Sequence, residues 1–136
     1  MLQKSDLINY FYSSFRRPEI KGIGTEHEKF IFHCANKKRI EFDGPTSIQD
    51  LFQFLIEKGW QKGEYNAFNQ LISLSKNGAS VTLEPSCQLE LSGKILKNVH
   101  QTCTETYEHL RELQEYAELN NLCILGLGFD PISKRD

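Results

Sequence analysis

Two short acidic runs carry the residue types and spacings that could do chemistry. In Gly24-Thr25-Glu26-His27-Glu28-Lys29-Phe30, the two glutamates lie two residues apart. On a β-strand such residues project from one face, about 6.5–7 Å apart along the chain. Phe30 and Phe32 continue that face into apolar ground. Two carboxylates at the edge of a buried face repel each other unless a cation neutralises them. Hard oxygen ligands of this kind suit Mg²⁺ or Mn²⁺. The second run is Leu83-Glu84-Pro85-Ser86-Cys87-Gln88-Leu89-Glu90-Leu91-Ser92. Here Glu84 ends one strand, Pro85 sets a bend, and Gln88 and Glu90 share a face of the next strand. Each run alone also reads as hydrated glutamates on a solvent-facing strand. Two in one small domain strengthen the case for a shared metal-and-substrate face. His27, opposite the glutamates with Lys29 and Ile31, reads as a surface or supporting residue.

The surrounding elements follow from periodicity. Ser5 is positioned to cap a helix in which Leu7, Phe11 and Phe15 recur, with Pro18 marking its end. Ile20 to His33 reads as a strand opening on Gly22 and Gly24; Ala35 to Lys38 is a turn, and Arg39 to Phe42 the returning strand. After Asp43-Gly44-Pro45, Thr46 or Ser47 starts a short helix with Ile48, Leu51, Phe52 and Leu55 inward and Gly59 as its stop. Phe68 to Leu74 and Ala79 to Glu84 form a hairpin about Ser75-Lys76-Asn77-Gly78. Gln88 to Ser92 alternates as a strand with Leu89 and Leu91 on its other face. Asn98 to Leu119 is a long helix with Val99, Cys103, Thr106-Tyr107, Leu110, Leu113 and Ala117 as its stripe. Leu122 to Leu127 is a final buried strand. Hairpins with intervening helices give an α+β fold with a mainly antiparallel sheet and flanking helices, one domain over residues 1–136.

Bulk properties exclude several classes. The chain has 136 residues, 39% hydrophobic and 25% charged, with nine Phe, five Tyr and one Trp. That is too apolar and aromatic for a disordered chain, and long enough to bury roughly two-thirds of its unfolded surface. Sixteen basic and 18 acidic residues give a net charge of −2, which offers no field for a nucleic-acid backbone or an anionic membrane. Arg16-Arg17 and Lys37-Lys38-Arg39 read as solvated turns. No window approaches the stretch of about eighteen apolar residues a membrane helix needs. The N-terminus lacks a signal-peptide pattern, so a cytoplasmic location with free thiols is expected. Cys34, Cys87, Cys103 and Cys123 include no Cys-x-x-Cys pair and read as small hydrophobes. Gly126 and Gly128 follow a strand, but position 131 is proline, so no dinucleotide fingerprint forms, and no Walker loop occurs.

Four blocks together point to a family. Gly24-Thr-Glu-His-Glu-Lys-Phe30, Ala79-Ser-Val-Thr-Leu-Glu-Pro85 with Gln88-Leu-Glu-Leu-Ser-Gly93, His100-Gln-Thr-Cys103, and Leu125-Gly-Leu-Gly-Phe129 occur in the order and spacing of the plant-type glutamate–cysteine ligases, which the chain resembles. The resemblance implies the N-terminal portion of a glutamine-synthetase-like catalytic fold, with metal ions on one sheet face. It implies a reaction in which ATP phosphorylates the γ-carboxylate of glutamate. The amine of cysteine then attacks the acyl phosphate to give γ-glutamylcysteine, the first step of glutathione synthesis. It also implies Glu26, Glu28, Glu84 and Glu90 as ligands of Mg²⁺ or Mn²⁺, with Gln88 near the substrate. The chain departs from the family at Ser86-Cys87, where Gly-Gly is usual, at Leu89, where an aromatic is usual, and at Asp130, where Gln is usual. Family enzymes are several times longer, so the isolated chain is expected to be inactive, with a second polypeptide carrying the rest of the ligase. The alternative is a truncated or split-gene product acting as a non-catalytic binding module. A related carboxylate–amine ligase for another amino acid fits the block order less well.

Overall fold

The computed structural model describes residues 2–15 and 22–131. Helix α1 spans Lys4–Phe15, strand β1 Glu26–His33, α2 Ile48–Glu57, β2 Gln61–Lys62, β3 Ser73–Lys76, β4 Ala79–Glu84, β5 Gln88–Ser92, α3 Val99–Asn120 and β6 Leu122–Leu125. The strands form one sheet in the order β2-β3-β4-β5-β1-β6, and every ladder is antiparallel. This is the expected α+β architecture. Among the described residues, no helix is long and apolar enough to cross a membrane.

Local signals set several elements directly. Ser47 caps α2, its hydroxyl accepting from the Asp50 amide, a bond of about 1 kcal/mol. The stripe Ile48, Leu51, Phe52 and Leu55 is fully buried, each side chain stabilising the fold by about 1.5–3 kcal/mol. Gly59, at φ +94°, releases the chain from that helix. The β3–β4 hairpin closes through Asn77-Gly78 alone, since Lys76 pairs with Ala79. Both loop residues have positive φ, as the right-handed twist of the flanking strands requires.

Elsewhere tertiary pairing overrode the local pattern. Strand β1 begins at Glu26, because Gly22 to Thr25 runs beside Gly93 to Leu96, joined by the Ile23–Leu96 bridge. A Cβ on Gly22 would stand 2.7 Å from the Leu96 carbonyl oxygen, so this approach needs glycine. The first half of β1 pairs with β5 and its second half, Phe30 to His33, pairs with β6 on the other side. The expected return strand Arg39 to Phe42 is reduced to a bridge at Phe32–Arg39. The expected arm at Phe68 starts only at Ser73; Asn66 turns the chain there, its side-chain oxygen accepting from the amides of Phe68 and Gln70.

The helices also differ from expectation in the faces they bury. In α1, Ser5 lies inside the helix and Asp6 instead accepts from the Gln3 amide. Its stripe is exposed, with Phe11 at 62% and Phe15 at 83%; Pro18 lies outside the described residues. In α3 the core face is His109, Leu113, Tyr116 and Ala117. Val99, Cys103, Tyr107 and Leu110 remain exposed. The bond from the Tyr116 hydroxyl to Asp50, 3.0 Å, explains how a polar tip enters that face. Cys34 and Cys123 are joined by a disulfide between the turn after β1 and strand β6, correcting the expectation of four free, buried thiols. Cys87 is half-buried and Cys103 exposed.

Candidate metal and substrate site

The pleat and register of three strands assemble the acidic face. In an antiparallel ladder, directly opposed residues point the same way. Glu28 lies opposite Glu90 and Glu26 opposite Ser92. Glu90 in turn faces Thr82, and Gln88 faces Glu84. Glu26, Glu28, Gln88, Glu90 and Glu84 therefore occupy one face across β1, β5 and β4. Leu89 and Leu91, on the opposite face, are buried beneath the helices.

Hydrogen bonds tie this face together. The Gln88 amide nitrogen, in a residue only 8% exposed, donates to Glu28 Oε2 at 3.2 Å and to the Leu127 carbonyl at 2.9 Å. The Ser92 hydroxyl donates to Glu90 Oε1 at 2.7 Å. A Cβ on Gly128 would lie 3.2 Å from Glu28 Oε2, so the Gly126–Gly128 segment passes directly over that carboxylate. Glu84 lies one strand beyond Glu90 and is exposed. Among the described residues, no lysine or arginine forms an ion pair with any of the four glutamates. Nor does any group of three or more His, Cys, Asp or Glu side chains converge to hold a metal ion. The face is thus a set of hard oxygen donors in register, without a closed coordination cage.

The opposite side of β1 was read less well from sequence. Lys29 is 3% exposed and donates to the His27 carbonyl at 2.6 Å. Burial, partly countered by the charge of Glu90, pulls its pKa down to about 8. His27 Nε2 lies 3.0 Å from the hydroxyls of both Thr25 and Thr106. That contact brings the residues following His100-Gln-Thr-Cys103 against the back of the acidic strand.

Arg39, expected to be solvated, is instead a tie point. Its guanidinium donates to the Ser86 carbonyl, pairs with Asp130 at 3.0 Å and sits 5.9 Å from the centre of the Phe30 ring. Ser86 and Asp130, far apart in sequence, therefore meet on one side chain. The spacing of Lys37-Lys38-Arg39 carried no signal for this contact, which spans 47 residues. Ser86 (φ 65°, ψ 27°) and Cys87 (φ 59°) both adopt left-handed backbone. The turn keeps a geometry natural to glycine while carrying two side chains.

Three of the blocks, at residues 24–30, 79–93 and 125–129, thus meet on the acidic face, while α3, which carries the fourth, lies behind β1. Residues 22–136 match the model of glutamate-cysteine ligase family 2. The chain is 38% identical over 131 residues to glutamate–cysteine ligase A, chloroplastic, of Oryza sativa subsp. japonica, covering 96% of the chain and 26% of that protein. It is 37% identical to the chloroplastic ligase of Solanum lycopersicum, covering 96% and 24%. It is 35% identical over 136 residues to that of Arabidopsis thaliana, covering 99% and 25%. The chain therefore spans about a quarter of the length of these relatives. All three are named chloroplastic, which overturns the expectation of a cytoplasmic location. The order of the blocks and the match over residues 22–136 have one outcome: the chain belongs to glutamate-cysteine ligase family 2.

Proposed function

We propose that this chain supplies the metal- and substrate-binding sheet of an ATP-dependent glutamate–cysteine ligase with a glutamine-synthetase-like fold. The observation that carries this reading is the cross-strand opposition of Glu28 and Glu90. Like charges directly opposed destabilise a sheet, and a cation on that face would remove the repulsion. The donor chemistry fits Mg²⁺ or Mn²⁺, which prefer carboxylate oxygen and keep several waters. Glu26, Glu28 and Glu90 would hold one part of the ion set, with Glu84 at the far side of β5. Bound ions would neutralise the charge that gathers when a triphosphate approaches the γ-carboxylate of glutamate.

The chain's own residues have definable tasks. Gln88, locked between Glu28 and the Leu127 carbonyl, fixes the orientation of the Glu28 carboxylate. The Gly126–Gly128 segment shields that carboxylate from water on one side. Leu89 and Leu91 anchor the strand to the core, so the acidic face cannot slip register without exposing them. Glutamate, cysteine and ATP are the substrates of the complete enzyme, with the remaining strands supplied by further sequence or by a second polypeptide. A second reading, a non-catalytic binding module, is supported by Leu125 and Phe129, exposed at and beyond edge strand β6.

A chimera tests the proposal. Residues 22–136 replace the matching segment of the rice ligase, and ADP release is measured with glutamate and cysteine present. The chimera should turn over, and Glu28→Gln or Glu90→Gln should lower the rate by at least about a hundredfold. A folded chimera without turnover would leave only the binding-module reading.

A further inference from the structure

The sheet ends in two edges of unlike character. At one, β2 is only Gln61 and Lys62, both exposed. A very short polar edge that carries a lysine discourages a further strand. At the other, β6 and the chain beyond it run Leu122-Cys-Ile-Leu-Gly-Leu-Gly-Phe129 without a single charge. The inner side of β6 pairs with β1. Among the described residues no strand pairs with its outer side. Leu125 and Phe129 are 48% and 71% exposed there. An uncharged apolar edge of this kind is a template for another strand.

A groove of about 550 Å³ lies beside that edge, between α3 and β6. Leu110 and Ala117 line it from the helix, and Leu122 and Ile124 from the strand. Ile124 opposes Ile31 and Leu122 opposes His33, so both project from the face opposite Glu28. A further strand would lie about 4.8 Å beyond β6. Its residues opposed to Leu122 and Ile124 would point the same way, into the groove. Apolar side chains at those two alternate positions would cover Leu110, which is 41% exposed.

Relatives 35–38% identical match 96–99% of this chain, which spans about a quarter of their length. In each of them most of the protein is therefore available to cover the matching edge. We infer that the outer edge of β6 is where the rest of the ligase joins this chain. It does so through one strand laid beside Leu122–Leu125, with alternate apolar side chains in the groove under α3. This inference rests on the ligase reading above and adds to it the surface and the kind of partner.

Amide hydrogen exchange reads the edge independently of turnover. In the rice chimera described above, outward-facing amides of residues 122–128 should exchange at least about tenfold more slowly than in the isolated chain. The amides of Gln61 and Lys62 should not change. Leu110→Glu places an unpaired charge in the groove and should restore fast exchange in the chimera. In the isolated chain, where Leu110 is exposed, the same variant should leave the melting curve unchanged. If the chimera fails to fold, as judged by circular dichroism, the rice ligase itself decides, at its positions matching 122–128. Equal exchange in chain and full-length protein, protection confined to the β2 edge, or slow exchange that survives Leu110→Glu would overturn the inference. So would protection in the isolated chain that grows with its concentration, which would assign the edge to a second copy. Protection without ADP release would uphold the edge and sink the ligase reading; ADP release without protection would do the reverse.

Discussion

Replacing Ser86 by glycine should make the protein more stable, against the usual penalty for introducing glycine. Ser86 sits at φ 65°, ψ 27° in the turn between β4 and β5, and left-handed backbone costs an L-residue about 1–2 kcal/mol. Glycine removes that cost but loosens the unfolded chain by about 0.4–1 kcal/mol. The balance is a gain of about 1 kcal/mol, or roughly 3–5 °C in Tm for a domain of this size. Ser86 is exposed, and no hydrogen bond to its hydroxyl is present among the described residues, so little else is lost. The backbone carbonyl that accepts from Arg39 remains. Thermal and urea unfolding of wild type, Ser86→Gly and Ser86→Ala provide the assay, since alanine keeps the Cβ and should match wild type. Cys87→Gly should gain less despite its φ of 59°, because its half-buried side chain packs against the core. If Ser86→Gly is no more stable than Ser86→Ala, the strain argument is refuted.

Three further outcomes are expected. Reducing the Cys34–Cys123 disulfide, which closes a separation of 89 residues, should lower stability by about 2–4.6 kcal/mol. Cys34→Ser should show the same loss and no response to reductant; absence of the linked peptide in a non-reducing digest would remove the basis for both. Burial, then the hydrogen bond to Asp50 and its charge, raise the Tyr116 pKa above its ordinary value of 10.0. The unfolded chain therefore loses this proton first, so stability held below pH 10 should fall above it by up to about 1.36 kcal/mol per pH unit. Tyr116→Phe should flatten that alkaline slope, and an unchanged slope would exclude Tyr116 as its source. Glu90→Gln should raise stability by about 0.2–1 kcal/mol in chelator by relieving its opposition to Glu28. Mg²⁺ should then stabilise wild type more than the variant in melting curves, and equal Mg²⁺ responses would argue against an ion on that face.

The sequence determined the elements whose energetics are local. The α2 stripe, its Ser47 cap, the Asn77-Gly78 hairpin and the alternation of β5 depend on residues within a turn or two of one another. The pairing of Glu26 with Glu28, and of Gln88 with Glu90, was legible because a strand has a fixed period of two. The ordered blocks likewise carried the family. Tertiary structure alone decided which strands adjoin, and hence that Glu28 opposes Glu90 and that β1 divides its partners between β5 and β6. It also selected the buried face of α3, where His109 and Tyr116 went inward in place of Leu110 and Tyr107. Arg39 and Cys34 found partners 47 and 89 residues away. The physical reason is common to all of these: a long-range contact gains its energy from surfaces that exist only after the chain has closed, so no local pattern can encode which surface it meets.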